Sequence, residues 1–514
     1  MRALSKPPSP TAGPPDTVRQ DVYSLRQLTL IMSGLMLGVL LAALDQTIVT
    51  TALTTISRDF KRPDLYGWVV TSYLLTSTVT TPLYGKISDL FGRKRIFQFA
   101  IVLFLAGSAL SGLSGSMYQL IVFRGVQGLG AGGLMSVALA IVGSVVAPRD
   151  RGRYLSYFGA VFAVASVVGP LVGGFLVEQA TWRWVFYVNL PIGALALVVI
   201  NRVLKLDHQP RRPKIDFAGA VLVVTGVALF LVGVQTAGTH AAVTTSAFVF
   251  AAAGLLLVAM FVWWETRATE PVLPLRLFSS RVFSVSVLLS LITGVVMFGA
   301  ILFSAQYLQS VRGVSPTSSG LRLVPLLAGV VVCSIGSGRG ISATGRYKIF
   351  VVVGTAILTA GTVLLTQVRV HSSLLEFSLI LFIVGAGLGL FMQVLVTVAQ
   401  NAVDRADLGV GTSSVAFFRT LGGAIGASAF GAILINQEHA ALRQDISHYG
   451  AATGRLFAFT HGMDRAYLFA AAVAFLAFLL SFLLREIHLR TGDDPLDGDS
   501  GLAASSLSAA VRTR

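Results

Sequence analysis

Long apolar stretches, separated by short polar segments, recur along almost the whole chain. Fourteen of them, from 28–53 to 466–484, reach or approach the roughly 20 residues that a helix needs to cross a bilayer. The polar ends, 1–27 and 487–514, have no apolar period and are expected to be tails, the first of them disordered. The pattern predicts an all-α membrane protein with fourteen transmembrane helices.

Composition and charge agree with this class. The chain is 54% hydrophobic and 12% charged, with a mean hydropathy of +0.77, which is outside the range of ordinary soluble domains. Its single cysteine, Cys333, excludes an intrachain disulfide and cysteine-rich metal sites.

The formal net charge of +16 follows from topology. Most Lys and Arg residues fall in the two tails and in the loops on the same side of the predicted bundle. This positive-inside distribution predicts that both termini are cytoplasmic, in a bacterial cell membrane, and makes nucleic acid an unneeded explanation for the basic charge.

Two motifs occur twice, once in each half of the chain. GKISDLFGR at 85–93, after the second apolar stretch, matches GRGISATGR at 338–346, after the tenth. GPLVGG at 169–174, in the fifth stretch, matches GGAIGA at 422–427, in the thirteenth. Both matches align stretches one to six with stretches nine to fourteen.

The repeats predict two pseudo-symmetric six-helix halves at 28–206 and 282–486. Residues 207–281 are then a linker that carries two additional helices outside the transport core. Ser342 replaces Asp89 in the second copy, so the second half is not expected to repeat the acidic contact of the first.

Asp45 is the acid placed most deeply in any predicted helix. A charge at the bilayer centre costs roughly 2.5–3.5 kcal/mol on insertion scales, so an acid at this depth indicates a functional site. Arg124, in the fourth stretch, is expected at a similar depth, given a rise of about 1.5 Å per residue. The pair could load and release a proton if its separation and water access change. The alternative is a permanent ion pair that only fixes helix packing.

Four motifs resemble, in order, those of the fourteen-span drug:proton antiporters of the major facilitator superfamily. They are LDQTIV at 44–49, GKISDLFGRKR at 85–95, RGVQGLG at 124–130 and GPLVGG at 169–174. A fifth, WRWVFYVNLPIG at 182–193, is similar to a stretch typical of the fourteen-span branch. The resemblance implies proton coupling by Asp45 and Arg124.

The resemblance also implies a conformational latch between the halves at the cytoplasmic face, formed by Gly85, Asp89, Gly92, Arg93 and Lys94. The glycines permit a tight turn, and the acid is expected near the start of the third helix, where the helix dipole favours a negative charge. The basic residues would alternatively serve only the positive-inside topology. The motif departs from its commonest form at Leu90, where a basic residue often follows the acid.

The antiporter motif, Gly169, Pro170, Gly173 and Gly174, implies an exporter that exchanges substrate for protons. Ordinary packing through small residues is the alternative. A central cavity with aromatic and amide groups would suit amphiphilic molecules of varied shape. Its candidate lining residues are Tyr73, Gln127, Gln306, Tyr307, Phe391, Met392, Gln393 and Arg419. Arg419 either snorkels or faces the cavity and disfavours a cation there.

We therefore expect a proton-coupled efflux antiporter for amphiphilic, drug-like compounds, working as a monomer by alternating access, without a cofactor or metal. Export of an endogenous metabolite, peptide or lipid by the same mechanism is the nearer alternative, and a non-transporting scaffold or sensor is the remote one. A membrane enzyme would need more ionisable residues within the helices. The segment 436–464 is expected to be a solvated outer loop.

Overall fold

The computed structural model describes residues 24–62, 65–204, 216–238, 245–314, 316–370, 372–404, 407–449 and 451–486. These residues form helices and connecting segments, with no strand among them. The tail predictions for 1–27 and 487–514 therefore lie outside the described residues, except for 24–27.

The first half contains six membrane-length helical units. They are α1 Leu25–Asp59, α2 Tyr66–Phe91, α3 Arg93–Gly112, α4 Met117–Val145, α5 Pro148–Gln179, and α6 Trp184–Tyr187 together with α7 Asn189–Val203. The last unit is broken where the run of aromatic residues ends, and Asn189 begins its second part.

The insert and the second half follow in the same order. They are α8 Phe217–Gly238 and α9 Thr245–Glu265, a short 3-10 helix at Leu275–Ser279, α10 Arg281–Ser310, α11 Pro316–Arg322, α12 Val324–Thr344, α13 Lys348–Leu365, α14 Leu374–Asn401, α15 Leu408–Tyr449 and α16 Ala451–Ser481. A hydrophobic cluster built only from residues between Val282 and Leu484 forms the core of the second half.

Across the residues that the structure describes, thirteen helical segments are long and apolar enough to cross a membrane. The fourteenth predicted span corresponds to α2, which is long enough but rich in Ser and Thr. Its hydroxyl groups bond to carbonyls one turn earlier, as Thr78 does to Leu74 at 2.7 Å and Thr80 to Thr76 at 2.7 Å. These bonds satisfy the polar groups within the helix, so α2 can lie inside the bundle.

The prediction of an outer loop at 436–464 is wrong for the described residues. There α15 continues to Tyr449 and α16 begins at Ala451, so the two helices form a long hairpin. The mixed apolar and polar sequence of this region lacks a membrane-length apolar run, which led to the loop prediction, but helix formation does not require one.

The two halves meet along several helix pairs. α5 packs against α12 and α14, and α15 packs against α2 and α4. Gln400 Nε2 on α14 donates to the carbonyl of Leu139 on α4 at 3.0 Å. Both residues lie toward the end of the bundle that carries the motif at 85–94, which is the predicted cytoplasmic face. The halves are therefore in contact at this face.

Candidate proton-coupling site and interhelical latch

Asp45 and Arg124 form an ion pair inside the first half. Nη1 of Arg124 lies 2.5 Å from Oδ2 of Asp45. Asp45 is 0% exposed and Arg124 is 1% exposed. The structure thus brings together Asp45 and Arg124, the two charged residues that the sequence predicted to lie at a similar depth in the bundle.

The other carboxylate oxygen is held by two amides. Gln127 Nε2 donates to Oδ1 of Asp45 at 2.9 Å, and Asn189 Nδ2 donates to the same oxygen at 3.1 Å. Asn189 Nδ2 also lies 3.0 Å from the hydroxyl of Ser108, which itself donates to the carbonyl of Phe186 at 2.8 Å. The carboxylate accepts hydrogen bonds from side chains on α4 and α7, which is an arrangement that can compensate a buried negative charge.

The guanidinium of Arg124 has its own set of partners. It donates to Gln127 Oε1 at 2.8 Å and to the carbonyl of Val69 at 3.4 Å. It stacks on the ring of Tyr73, 4.2 Å from the centroid, while the Tyr73 hydroxyl donates to the carbonyl of Ala42 at 3.4 Å. Such stacking stabilises a desolvated guanidinium.

Two predicted cavity residues, Tyr73 and Gln127, therefore belong to the charged site in this conformation, and both are 0% exposed. Sequence reasoning did not single out Asn189 or Ser108 as site residues. Asn189 offered a weak signal, an amide within the aromatic run at 182–193, whereas a serine in an apolar helix offers none.

The antiporter motif packs next to this site. Thr47, two residues after Asp45, donates to the carbonyl of Ala165 on α5 at 3.0 Å. A Cβ on Gly169 would collide with the Thr47 hydroxyl, so only glycine permits this approach of α5 to α1. Gly173 is buried, whereas a Cβ on Gly174 would meet nothing within 4 Å. The side chain of Pro170 lies outside the described residues.

The predicted latch joins the two halves. Asp89 accepts from the backbone N–H of Gly409 at 2.9 Å and from that of Val410 at 3.2 Å, in the first turn of α15. Arg93 holds the same carboxylate, with Nη2 2.7 Å from Oδ1. The expectation that Asp89 serves the dipole of the third helix is corrected: the carboxylate caps the N-terminus of a helix from the other half.

The two latch glycines have different roles. A Cβ on Gly85 would collide with the Ser413 hydroxyl and lie 2.7 Å from the Gly409 carbonyl, so Gly85 permits the contact with α15. Gly92 has φ +94°, a conformation that favours glycine, and it separates α2 from α3. Lys94 donates to the carbonyl of Asn201 at 2.9 Å, within the first half.

The second copy of the motif keeps the close backbone approach without the acid. A Cβ on Gly338 would lie 2.6 Å from the carbonyl of Gly152 at the start of α5. Ser342, at the position of Asp89, donates to the carbonyl of Gly338 in its own helix at 3.1 Å. The two interfaces are therefore pseudo-symmetric in packing but not in charge.

The remaining cavity candidates occupy different environments. The Tyr307 hydroxyl donates to the carbonyl of Arg369 at 2.8 Å, and Phe391 is 0% exposed against Gly354. Gln306 and Met392 are half-buried. Two of the cavity candidates each have a buried polar atom with no hydrogen-bond partner among the described residues, Oε1 of Gln393 and Nη1 of Arg419. A role of these residues in substrate binding stays a prediction.

Comparison with known proteins identifies the family. A family profile described as Major Facilitator Superfamily matches residues 35–427. An uncharacterized MFS-type transporter of Mycobacterium tuberculosis is 37% identical, over 96% of this chain and 75% of that protein. The multidrug transporter protein MdtP of Bacillus subtilis is 35% identical, over 79% of this chain and 75% of that protein.

Solved structures agree on the fold. The crystal structure of the human organic anion transporter MFSD10 has a TM-score of 0.64 at 16% identity and covers 88% of this chain and 99% of that chain. The proton:xylose symporter XylE has a TM-score of 0.65 at 15% identity and covers 91% and 98%. The predicted all-helical fold is confirmed, and the chain belongs to the Major Facilitator Superfamily as a membrane transporter and not an enzyme.

Proposed function

We propose that this transporter exports amphiphilic, drug-like molecules from the cytoplasm in exchange for protons, by alternating access. The observation that carries the proposal is the sealed site around Asp45, in which one carboxylate is balanced by one guanidinium and two amides. Such a site has no evident purpose in a passive helix interface, because burying an ion pair contributes little to stability.

The chemistry of the site supports a proton cycle. A proton on Asp45 would cancel the charge that Arg124 balances and would remove an acceptor from one of the donors around it. Arg124 would keep its contacts to Gln127, Val69 and Tyr73, so it could remain in place while α1 moves. Protonation would thereby change how α1 is held to α4.

Helix packing next to the site could transmit a movement of α1 to the contact between the two halves. Thr47 and Gly169 hold α1 closely against α5, and α5 also packs against α12 and α14 of the second half. The contact of Asp89 with Gly409 and Val410 would keep the predicted cytoplasmic face closed in this conformation, so release of cargo would occur on the other side. A rigid-body movement of one half against the other is the motion expected for repeats of this kind.

Relatives support the export direction and the kind of cargo. Besides MdtP, the chain is similar to multidrug resistance protein 3 of Bacillus subtilis, at 32% identity over 79% of both proteins. It is also similar to the efflux pump dotC of Dothistroma septosporum, at 34% identity over 81% of this chain. These names describe those proteins: all three are consistent with export, and the two multidrug proteins favour a drug-like cargo for this chain.

The test is proton-driven transport of a fluorescent amphiphile into proteoliposomes. We expect Asp45→Asn to abolish transport driven by a pH gradient, because the residue can no longer exchange a proton, while the protein still folds. The matched control is Asp59→Asn, the same change at an acid near the outer end of α1 whose side chain is 52% exposed. Unaltered coupling in Asp45→Asn would refute the proposal.

A further inference from the structure

Arg419 is a buried arginine without a counter-charge. Its residue is 8% exposed, and Nη1 is buried with no hydrogen-bond partner. Within the described part of the chain, its side chain forms no hydrogen bond or ion pair. An unpaired charge in an apolar interior is costly, and intramembrane cations of this kind mark sites of function.

Snorkelling does not relieve this charge. Arg419 lies near the middle of the candidate span Leu408–Leu434, about 16 Å along the helix from its nearer end at a rise of about 1.5 Å per residue. That distance exceeds the reach of an arginine side chain. The alternative that Arg419 snorkels to an interface therefore does not fit its position or its burial.

The environment of Arg419 differs from that of its counterpart in the first half. Its backbone carbonyl is the atom that a Cβ on Gly294 would meet, so it lies beside α10. The corresponding residue on α5, Ser166, is satisfied by a bond to the carbonyl of Phe162 at 2.9 Å. Asp45 and Arg124 compensate each other, whereas Arg419 has no acid paired with it among the described residues.

A second unpaired polar group lies on the neighbouring helix. Oε1 of Gln393 on α14 is buried without a partner. α14 and α15 are joined toward the predicted cytoplasmic face, where Gln400 Nε2 lies 3.0 Å from the Thr412 hydroxyl. The middle of the second half thus contains a charged donor and an amide, on adjacent helices, that the protein itself does not satisfy.

We infer that Arg419 binds a carboxylate, or another anionic group, of the cargo. The inference rests on the proposed function and narrows its substrate class to anionic or zwitterionic amphiphiles. A guanidinium presents a planar fork of donors that matches a carboxylate, and binding would supply the counter-charge that the helices lack. A cation without an acidic group would leave Arg419 unpaired and face repulsion.

Binding of rhodamine B and of its ethyl ester to the full chain in nanodiscs tests this inference. The two dyes differ only in a free carboxylate, and fluorescence polarisation measures both affinities. We expect the parent to bind rhodamine B on the order of tenfold more tightly than the ester, as for one charge-assisted contact. Arg419→Gln should bind both dyes equally, and Arg419→Lys, which keeps the charge without the fork, should keep part of the preference.

Two further variants control for folding and for charge in general. Arg419→Ser places the hydroxyl of Ser166 at this position and should behave like Arg419→Gln. Arg322→Gln, an arginine in α11 of the same half, should retain the preference of the parent. Thermal unfolding of Arg419→Gln should occur at the same or a higher temperature than that of the parent, because an unpaired buried charge is removed.

Each other outcome is informative. A preference that survives in Arg419→Gln, no preference in the parent, or no binding of either dye would overturn the inference. Loss of the preference when chloride replaces methanesulfonate, an anion without a carboxylate, would instead assign Arg419 to a small inorganic anion and remove it from the cargo site. An Arg419-dependent preference without proton-driven transport would overturn the proposed function and leave this inference standing.

Discussion

At the scale of single residues, the charged site depends on neutral side chains as much as on charged ones. Asn189 is 0% exposed and connects Asp45 on α1 to Ser108 on α3. Its neighbour Val188 lies at the break between α6 and α7, so the amide reaches the carboxylate from a helix start. Asn189 thereby links the acid on α1 to Ser108 on α3.

We predict that Asn189→Ala destabilises the protein by about 1–3 kcal/mol, because a buried acceptor loses a donor. Thermal unfolding in detergent measures the loss, and proton-driven transport should fall with it. Asn201→Ala, at the exposed end of the same helix, is the matched control and should change neither. Equal stability of Asn189→Ala and the parent would mean that Gln127 and Arg124 alone suffice to hold Asp45.

The charged members of this site were predictable and the neutral ones were not. A carboxylate in an apolar helix requires compensation, so the position of Asp45 in the sequence already implies a partner such as Arg124. No comparable feature of the sequence places Asn189 and Ser108 in the site, because amides and hydroxyls can form hydrogen bonds with many different partners. Tyr73 was predicted to line the cavity. The sequence does not reveal that a guanidinium stacks on its ring.

At the scale of elements, three sets of contacts hold the two halves together along their interface, or seam. Asp89 caps α15 from the first half. The insert helix α8 packs against both α2 and α15. The segment after α9 adds two ion pairs, Lys86 with Glu270 at 2.8 Å and Arg276 with Asp407 at 2.6 Å. The insert, expected outside the transport core, therefore also spans the seam between the halves.

We predict that Asp89→Asn shifts the protein toward opening at the predicted cytoplasmic face. Loss of a carboxylate at a helix N-terminus, and of its pair with Arg93, should cost about 1–2 kcal/mol, or roughly 5- to 30-fold in the equilibrium. The measurement is thiol labelling of Thr412→Cys, a position that is 0% exposed behind the latch, in a Cys333→Ser background.

The control for this prediction is Asp150→Asn, which removes an exposed acid from the first turn of α5 at the pseudo-equivalent interface. It should leave the labelling rate unchanged, because no cross-half cap depends on Asp150 among the described contacts. Equal labelling of Asp89→Asn and the parent would contradict a latch and leave Asp89 with a purely local role.

At the scale of the whole molecule, the internal repeat could be predicted from the sequence, because glycines recur at the positions where the backbones of two helices come close together. Gly85 and Gly338 indeed lie at two such contacts, with Gly409 and Gly152. Which face is closed was not readable, since one sequence must support every state of the transport cycle. The side on which Lys and Arg accumulate predicts the orientation in the membrane, and this remains a prediction.

The charge carried in one cycle follows from the number of acids that can exchange a proton. Among the described residues, Asp45 is the one fully buried acid within a candidate span. Asp464, in the last candidate span, is only partly buried and pairs with Arg369 at 2.6 Å. Glu265 and Asp407 lie at helix ends. One proton entering for each cargo molecule leaving would make exchange for a monovalent cation electroneutral. Exchange for a zwitterion of zero net charge would move one charge, worth about 2.3 kcal/mol per 100 mV.

We therefore predict that membrane voltage, at zero pH gradient, drives transport of rhodamine B but not of its cationic ethyl ester. Proteoliposomes with a potassium diffusion potential set by valinomycin provide the voltage. The rate is the dye accumulation in excess of that in protein-free liposomes under the same voltage, because a lipophilic cation also crosses the bilayer unaided. A pH gradient without voltage should drive transport of rhodamine B, and should drive transport of the more weakly bound ester only at a correspondingly higher dye concentration. Asp45→Asn should abolish every one of these responses. Transport of the ester in response to voltage alone would show that more than one proton enters per cycle, so that a second acid besides Asp45 must take part.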